Sequence, residues 1–170
     1  QITILFLLIV QSAIAQNSLF NQVEAKNIGP TIMSGRVVDL AVNPKNPTEF
    51  YVAYATGGLW YTNNNGTSFT PVMDAAETIN CGSVTVDWNS GAIWVGTGEV
   101  NASRSSYAGV GVLKSSDKGK TWENLGLKDS HHISRIWVNP SNLNEIVVAA
   151  VGHLYTTNKE RGIYKSTDGG

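Results

Sequence analysis

The chain of 170 residues carries 12 Lys and Arg against 13 Asp and Glu, a formal net charge of −1. It therefore lacks the positive field that would attract nucleic acid or an anionic membrane surface. Cys81 is the single cysteine, which excludes a disulfide within the chain.

The amino-terminal segment has the pattern of a secretory signal peptide. An apolar run over residues 2–10 is followed by Ala13-Ile14-Ala15, a small-x-small cleavage motif. The run is too short for a membrane span, which needs about 20 apolar residues. We predict a signal peptide with a truncated n-region over residues 1–15 and a lead-in over 16–29, with a buried first strand as the alternative interpretation. The expected location is secreted, periplasmic or on the cell surface.

From residue 30 onward, short runs rich in β-branched and aromatic residues are bounded by Asn, Pro and Gly, which is typical of β-strands. These runs recur in three units. The first run of each unit covers 38–44, 84–89 and 134–140; the second covers 50–55, 92–97 and 146–151; the third covers 58–62, 111–115 and 162–166.

The third run of each unit leads into the same turn, Ser/Thr-x-Asp/Asn-x-Gly, which begins at residues 62, 115 and 166. Asn and Asp can bond their own downstream backbone, and Gly supplies the positive φ that a tight hairpin needs. In two copies an aromatic residue follows and can fill the space between neighbouring units. We therefore predict that the turn residues hold hairpins together: Asn64, Gly66, Phe69, Asp117, Gly119, Trp122, Asp168 and Gly169.

A repeat period near fifty residues marks a repeat protein, and four antiparallel strands per repeat are typical of a propeller blade. The predicted fold is all-β: a β-propeller fragment of about three four-stranded blades over residues 30–170. The repeats are placed at about 35–74, 82–128 and 131–170. Closed propellers use about four to eight blades. We therefore expect the propeller to continue beyond residue 170, and the remaining blades of the full-length chain to be a partner of this part.

The turn resembles the Asp-box, or bacterial neuraminidase repeat, of sialidase-type propellers. Together with Gly35-Arg36 and residues 94–99 and 162–170, it is similar to the sortilin-type N-terminal propeller and to secreted bacterial glycosyl-hydrolase-like propellers, among them sialidase- and xyloglucanase-like proteins. The resemblance implies either recognition of a glycan or peptide or hydrolysis of extracellular glycans. The Arg-Ile-Pro opening motif of sialidases is missing.

A binding site is predicted at the end of the blades opposite the turns, because the loops 98–110 and 152–161 are lengthened there. Arg36 heads an inner strand, and its planar fork suits carboxylates and sulfates. The predicted ligand-binding residues are Arg36, Asn101, Arg104, Tyr107, His132, His153 and Arg161.

Glu99 is the candidate catalytic carboxylate, because it follows Gly-Thr-Gly on a flexible exit from the second strand of its unit. A solvated loop charge or an ion pair with Arg104 is the alternative interpretation. Glycoside hydrolysis needs a second carboxylate, for which Asp74, Glu77, Asp129 and Glu160 are open possibilities.

A metal site built from His131, His132 and His153 finds no support from a Cys, Asp or Glu at ligand spacing. Neither a metal nor another cofactor is expected. The preferred function is a secreted propeller that binds a glycan or peptide ligand; the alternative is a glycoside hydrolase.

Overall fold

The computed structural model describes residues 35–102 and 106–170, which form three antiparallel sheets. The first sheet contains β1 (Val37–Val42), β2 (Phe50–Tyr54), β3 (Gly58–Thr62) and β4 (Thr70–Pro71). The second contains β5 (Cys81–Asp87), β6 (Ala92–Thr97), β7 (Val112–Ser115) and β8 (Glu123–Gly126). The third contains β9 (Ile133–Asn139), β10 (Asn142–Ala150) and β11 (Gly162–Ser166). The 3-10 turn Lys128–Ser130 precedes β9.

The predicted all-β fold is confirmed. Each strand is hydrogen-bonded to the strands that precede and follow it in its sheet, which is the meander of a propeller blade. The first two sheets have the four predicted strands, and the third has three among the described residues. The predicted signal peptide, the lead-in and Arg104 lie outside the described residues and stay predictions. Across 35–102 and 106–170, no helix has the length and apolar character that crossing a membrane requires.

The pairing register shifts at the same place in every sheet, beside the start of the innermost strand. The shifts fall between Val37 and Asp39 in β1, between Cys81 and Ser83 in β5, and between Ala149 and Ala150 opposite the start of β9. Such irregularities re-aim side chains at the end of a sheet and are common beside functional sites.

The apolar core is divided between the two interfaces of neighbouring sheets. In β6 every residue is buried, and its side chains alternate between the two interfaces. Ile93 and Val95 pack between the first and second sheets, whereas Ala92 and Trp94 pack between the second and third. A central strand covered on both faces is therefore continuously apolar, which explains the sequence of this run.

Polar bonds join the three innermost strands. Asp39 on β1 accepts a hydrogen bond from the Val84 amide of β5 at 3.0 Å. The same carboxylate oxygen pairs with Arg135 of β9 at 3.1 Å. Thr85 of β5 also donates to the Ile136 carbonyl at 2.6 Å. One aspartate of the first sheet therefore contacts both of the other sheets.

The three repeated turns share one hydrogen-bond pattern. In the second turn, Ser115 Oγ donates to Asp117 Oδ1 at 2.8 Å and accepts from the Gly119 amide at 2.8 Å. The Thr121 amide and hydroxyl both donate to the Asp117 carboxylate. Thr62, Asn64, Gly66 and Ser68 form the equivalent bonds in the first turn, as do Ser166, Asp168 and Gly170 in the third.

Gly169 has a positive φ of 92°, and Gly170 follows it in the third turn. The amide that bonds Ser166 belongs to Gly170, whereas Gly169 donates to the Asn144 carbonyl at 3.0 Å. The two aromatics also differ. Trp122 packs against the first interface and donates to the Val72 carbonyl at 3.0 Å, but Phe69 stays partly exposed and contacts Phe50 edge to face.

Asp117→Asn should make the stability of the protein less sensitive to acid. The hydrogen bonds from Thr121, and then that from Ser115, lower the pKa of Asp117 to about 2. A depressed folded-state pKa contributes stability that is present above the unfolded pKa of about 4 and lost as the pH falls through about 2. The melting temperature of the variant should lie below that of the wild type at pH 7, and this gap should close between about pH 4 and pH 2. A gap that stays constant over this range would contradict the role assigned to the carboxylate.

Candidate ligand-binding site

The antiparallel register brings three of the predicted site residues to the end of the sheets opposite the turns. Arg36 immediately precedes β1, Glu99 follows β6, and Tyr107 lies in the loop between β6 and β7. The start of β5 pairs with the end of β6, and β1 packs beside β5, so these positions converge although they are up to 71 residues apart in the chain.

Glu99 lies in the interior and pairs with an arginine at the surface. Its side chain is 0% exposed, whereas the Arg36 side chain is 52% exposed. Arg36 Nη2 contacts Glu99 Oε1 as an ion pair, and neither carboxylate oxygen accepts a hydrogen bond among the described residues. The interpretation of Glu99 as a solvated loop charge is therefore wrong. Its predicted pairing with Arg104 involves a residue outside the described part of the chain.

Arg36 borders a pocket of about 260 Å³ lined by Gly35, Arg36, Ala55, Thr56 and Tyr107. Tyr107 is 55% exposed, and its carbonyl accepts a hydrogen bond from the Glu99 amide at 3.1 Å. The Ala55 amide donates to the Arg36 carbonyl at 2.8 Å. The pocket, called the Arg36 pocket below, thus combines a guanidinium, a hydroxyl and an aromatic ring on a hydrogen-bonded backbone. Among the described residues, no carboxylate lines it.

Glycines fix the loop that carries Glu99. A side chain on Gly98, whose φ is 85°, would place Cβ 1.8 Å from the His131 carbonyl oxygen. That carbonyl accepts a hydrogen bond from the Gly109 amide at 2.7 Å. The sequence predicts a flexible Gly-Thr-Gly segment at the end of β6. Instead, its backbone is in close contact with the backbone at the start of the third sheet. This contact between the second and third sheets is called the backbone crossing below.

The predicted histidines form a second group beyond this crossing. The rings of His131 and His153 stack with centroids 3.7 Å apart, and His153 Nε2 lies 3.3 Å from Asp129 Oδ1. His132 is buried, and its pKa is lowered by desolvation and then by its two histidine neighbours. Arg161 donates from Nη2 to the His153 carbonyl.

The remaining predicted residues lie away from the Arg36 pocket. Asn101 is exposed in the loop after β6, where its carbonyl accepts a hydrogen bond from Ser106. Glu77 pairs with Lys128 and accepts from Asn124, while Glu160 accepts from the Asp129 amide at 2.8 Å. None of the four acids considered as a second carboxylate lines the described part of the pocket.

Two features of this end of the molecule are not predicted by the sequence: the place of Asp129 beside the histidines and the contacts of Asn158. Asp129 joins the histidines because the 3-10 turn Lys128–Ser130 orients it, and Asn158 bonds both the Asp129 carbonyl and the His153 amide. The only available signal was the spacing of Asp129 two residues before His131, which is too common to identify a site.

Solved structures provide the comparison with known proteins. The structure is similar to that of an ancestral GH74 enzyme, with 25% sequence identity and a TM-score of 0.56 over 79% of this chain. It also matches the GH74 enzyme of Niastella koreensis, with 23% identity, a TM-score of 0.49 and 65% of this chain covered. A third match is YCF48 from Cyanidioschyzon merolae, with 19% identity, a TM-score of 0.49 and 79% of this chain covered.

The chain spans only part of these proteins: 18% of the ancestral enzyme, 16% of the Niastella enzyme and 34% of YCF48. The sequence matches no protein-family model and no curated protein. The ancestral GH74 enzyme is a β-propeller protein. The three antiparallel sheets of this chain are accordingly blades of a β-propeller.

Proposed function

We propose that the chain is part of an extracellular β-propeller protein that binds a glycan in the Arg36 pocket. The observation that carries this proposal is the pairing of a fully buried carboxylate, Glu99, with a half-exposed guanidinium beside an exposed tyrosine. A buried charge is costly unless it is paired with an opposite charge or hydrogen-bonded, and Arg36 supplies the opposite charge here. Glu99 holds one edge of the Arg36 guanidinium in place, so the exposed part can meet a ligand with little loss of side-chain entropy.

The chemistry of the pocket suits a carbohydrate. An exposed aromatic ring supplies a large amphipathic contact surface at a low cost in conformational entropy. The planar guanidinium donates several hydrogen bonds in a fixed geometry, and the Thr56 hydroxyl both donates and accepts. A glycan presents hydroxyl groups and apolar ring faces to match, and a carboxylate or sulfate on the sugar would strengthen the contact with Arg36.

The extracellular location in this proposal rests on the predicted signal peptide.

The hydrogen bonds of the repeated turns support the assignment of these turns as Asp-boxes. In all three turns a Ser or Thr hydroxyl bonds the Asp or Asn side chain two residues on and the amide four residues on. We propose that the predicted repeats are Asp-box blades of the sialidase or sortilin type.

Glycoside hydrolysis is the second candidate function. It is favoured by the similarity to the ancestral GH74 enzyme, the neighbour with 25% identity and a TM-score of 0.56. Hydrolysis needs two carboxylates flanking the scissile bond, about 5 to 9.5 Å apart. Glu99 pairs with Arg36, which lines the pocket, yet the Glu99 side chain is fully buried. Under this alternative, the second carboxylate would come from another part of the whole protein.

Tyr107→Ala should weaken glycan binding about tenfold or more, a loss of about 1.4 kcal/mol or more. The ring would supply the apolar contact with the sugar, and its removal leaves the backbone bond to Glu99 in place. Binding would be measured by calorimetry on the purified protein, with a panel of neutral and acidic oligosaccharides. Tyr155→Ala is the matched control, because Tyr155 is also exposed but does not line the Arg36 pocket.

Two outcomes would overturn the binding proposal: no oligosaccharide binds the wild type, or both tyrosine variants bind as the wild type does. The same oligosaccharides, incubated with the wild type and with Glu99→Gln, test the second candidate by release of reducing ends. Hydrolysis that falls by orders of magnitude in this variant while its fold is retained would favour the hydrolase. Binding without any hydrolysis favours the recognition module.

A further inference from the structure

Three potential metal ligands converge beside the backbone crossing at Gly98. One oxygen of Asp129, one ring nitrogen of His131 and one of His153 all lie within 4.8 Å of one another. Asp129 lies in the 3-10 turn before β9, His131 directly follows that turn, and His153 comes from the loop between β10 and β11. Residues from two separate segments therefore place three donor atoms around one point.

The hydrogen bond at His153 Nδ1 leaves Nε2, the nitrogen that faces Asp129, available to bind a metal ion. His153 Nδ1 lies 2.7 Å from Thr156 Oγ1, which suits an Nδ1–H that donates to the hydroxyl. Nε2 then carries the lone pair. It is buried, has no hydrogen-bond partner among the described residues and lies 3.3 Å from the Asp129 carboxylate. Two electron-pair donors that face each other at this distance are stabilised by a cation between them.

The residues around the cluster hold these groups in place. Asn158 donates to the Asp129 carbonyl at 2.8 Å, and its own carbonyl accepts from the His153 amide at 3.0 Å. Glu160 accepts from the Asp129 amide. Bonds of this kind, made behind the ligands, orient metal ligands in known sites.

The backbone at His131 is strained. Its φ of 60° and ψ of −33° are sparsely populated for a residue with a side chain. Such conformations cost about 1–3 kcal/mol and concentrate at binding and catalytic sites. The hydrogen bond from Gly109 to the His131 carbonyl holds this conformation, and the ring is stacked against His153.

We propose that Asp129, His131 and His153 bind one Zn²⁺. Imidazole nitrogen and carboxylate oxygen are zinc ligands with bonds of about 2.0–2.2 Å, which sets the donor atoms of a tetrahedral site about 3.4 Å apart. The donor atoms now lie within 4.8 Å of one another, and one of the two stacked imidazoles must rotate out of the stack, because a metal ion lies in the plane of each ring that binds it. Three protein ligands leave a fourth position for water or for a ligand group. The Asp129 side chain is 59% exposed, so the ion can enter from solvent.

The test uses protein freed of metal with a chelator and titrated with Zn²⁺ by calorimetry. The wild type should bind one Zn²⁺ per chain, and Co²⁺ at the same site should give the visible absorption bands of tetrahedral cobalt. His153→Gln and Asp129→Asn should abolish binding, and Asn158→Ala should weaken it about tenfold, as expected for a positioning residue. Glu123→Gln, which removes an exposed carboxylate on β8, is the matched control and should bind as the wild type does.

Absence of Zn²⁺ and Co²⁺ binding to the wild type would overturn the proposal. Unchanged binding in both His153→Gln and Asp129→Asn would overturn it too, because the ion would then lie elsewhere. If His153→Gln fails to fold, as judged by circular dichroism, Asp129→Asn decides alone, since the Asp129 side chain is mostly exposed.

Discussion

Gly98→Ala is expected to destabilise the protein by about 3 kcal/mol or more, in the range of severe overpacking combined with backbone strain. The new methyl group would lie 1.8 Å from the His131 carbonyl oxygen and 2.8 Å from the Gly109 amide nitrogen. Both are backbone atoms, so no side-chain rotation relieves the overlap. The crossing between the second and third sheets must open. Urea denaturation, read as the midpoint at an unchanged slope, measures the loss.

Gly126→Ala is the control that separates the steric overlap at Gly98 from the cost of placing alanine at a positive φ. Gly126 also has a positive φ, 108°, but a Cβ there would meet nothing within 4 Å. Its variant should lose only about 1 kcal/mol, the cost of placing a side chain in that conformation. Equal losses in the two variants would mean that strain alone, and not the backbone crossing, explains the need for glycine at Gly98.

Arg36→Ala is expected to cost about 3 kcal/mol, because it leaves the buried Glu99 carboxylate without its ion-pair partner. The double variant with Glu99→Gln should be more stable than Arg36→Ala alone, since a neutral amide does not leave an unpaired charge in the interior. Chemical denaturation of both single variants and the double variant measures this coupling.

Lys128→Ala is the matched control for the arginine. Lys128 also pairs with a glutamate, Glu77, at 3.4 Å, but both side chains are about half exposed or more. Exposed pairs contribute about 0–1 kcal/mol, so this variant should change stability little. Similar effects of Arg36→Ala and Lys128→Ala would show that the burial of Glu99 does not determine the strength of its pair with Arg36.

The fold could be predicted from the sequence because its determinants are local and repeated. Each strand is a short apolar run, each hairpin has its own turn residues, and three copies reinforce one another. In β6, for example, the continuous apolar run reflects burial on both faces. In the third turn two adjacent glycines both contribute: Gly169 has the positive φ of 92°, and the Gly170 amide donates to Ser166.

The site was harder to predict because its determinants are distant in the chain. Topology predicts that Arg36 and Tyr107 lie at the end of the sheets opposite the turns, and the structure has both beside one pocket there. The burial of Glu99 was not predictable, since its partner Arg36 lies 63 residues earlier in the chain. The contacts of Asp39 with two other sheets, and of Asp129 with His153, likewise depend on three-dimensional packing that no spacing in the sequence shows.

The alternating burial of β6 has a consequence for how such proteins can be recombined. Ile93 and Val95 fit the surface of the first sheet, and Trp94 fits the surface of the third. A tandem duplication of the second sheet would pack Trp94 of one copy against the Ile93 and Val95 face of the next copy. These two surfaces do not contact each other in this protein, so complementary shape is not expected of them. In an engineered chimera, the junction between two parent sequences should therefore lie within a blade. Both faces of each interface between neighbouring blades then come from the same parent.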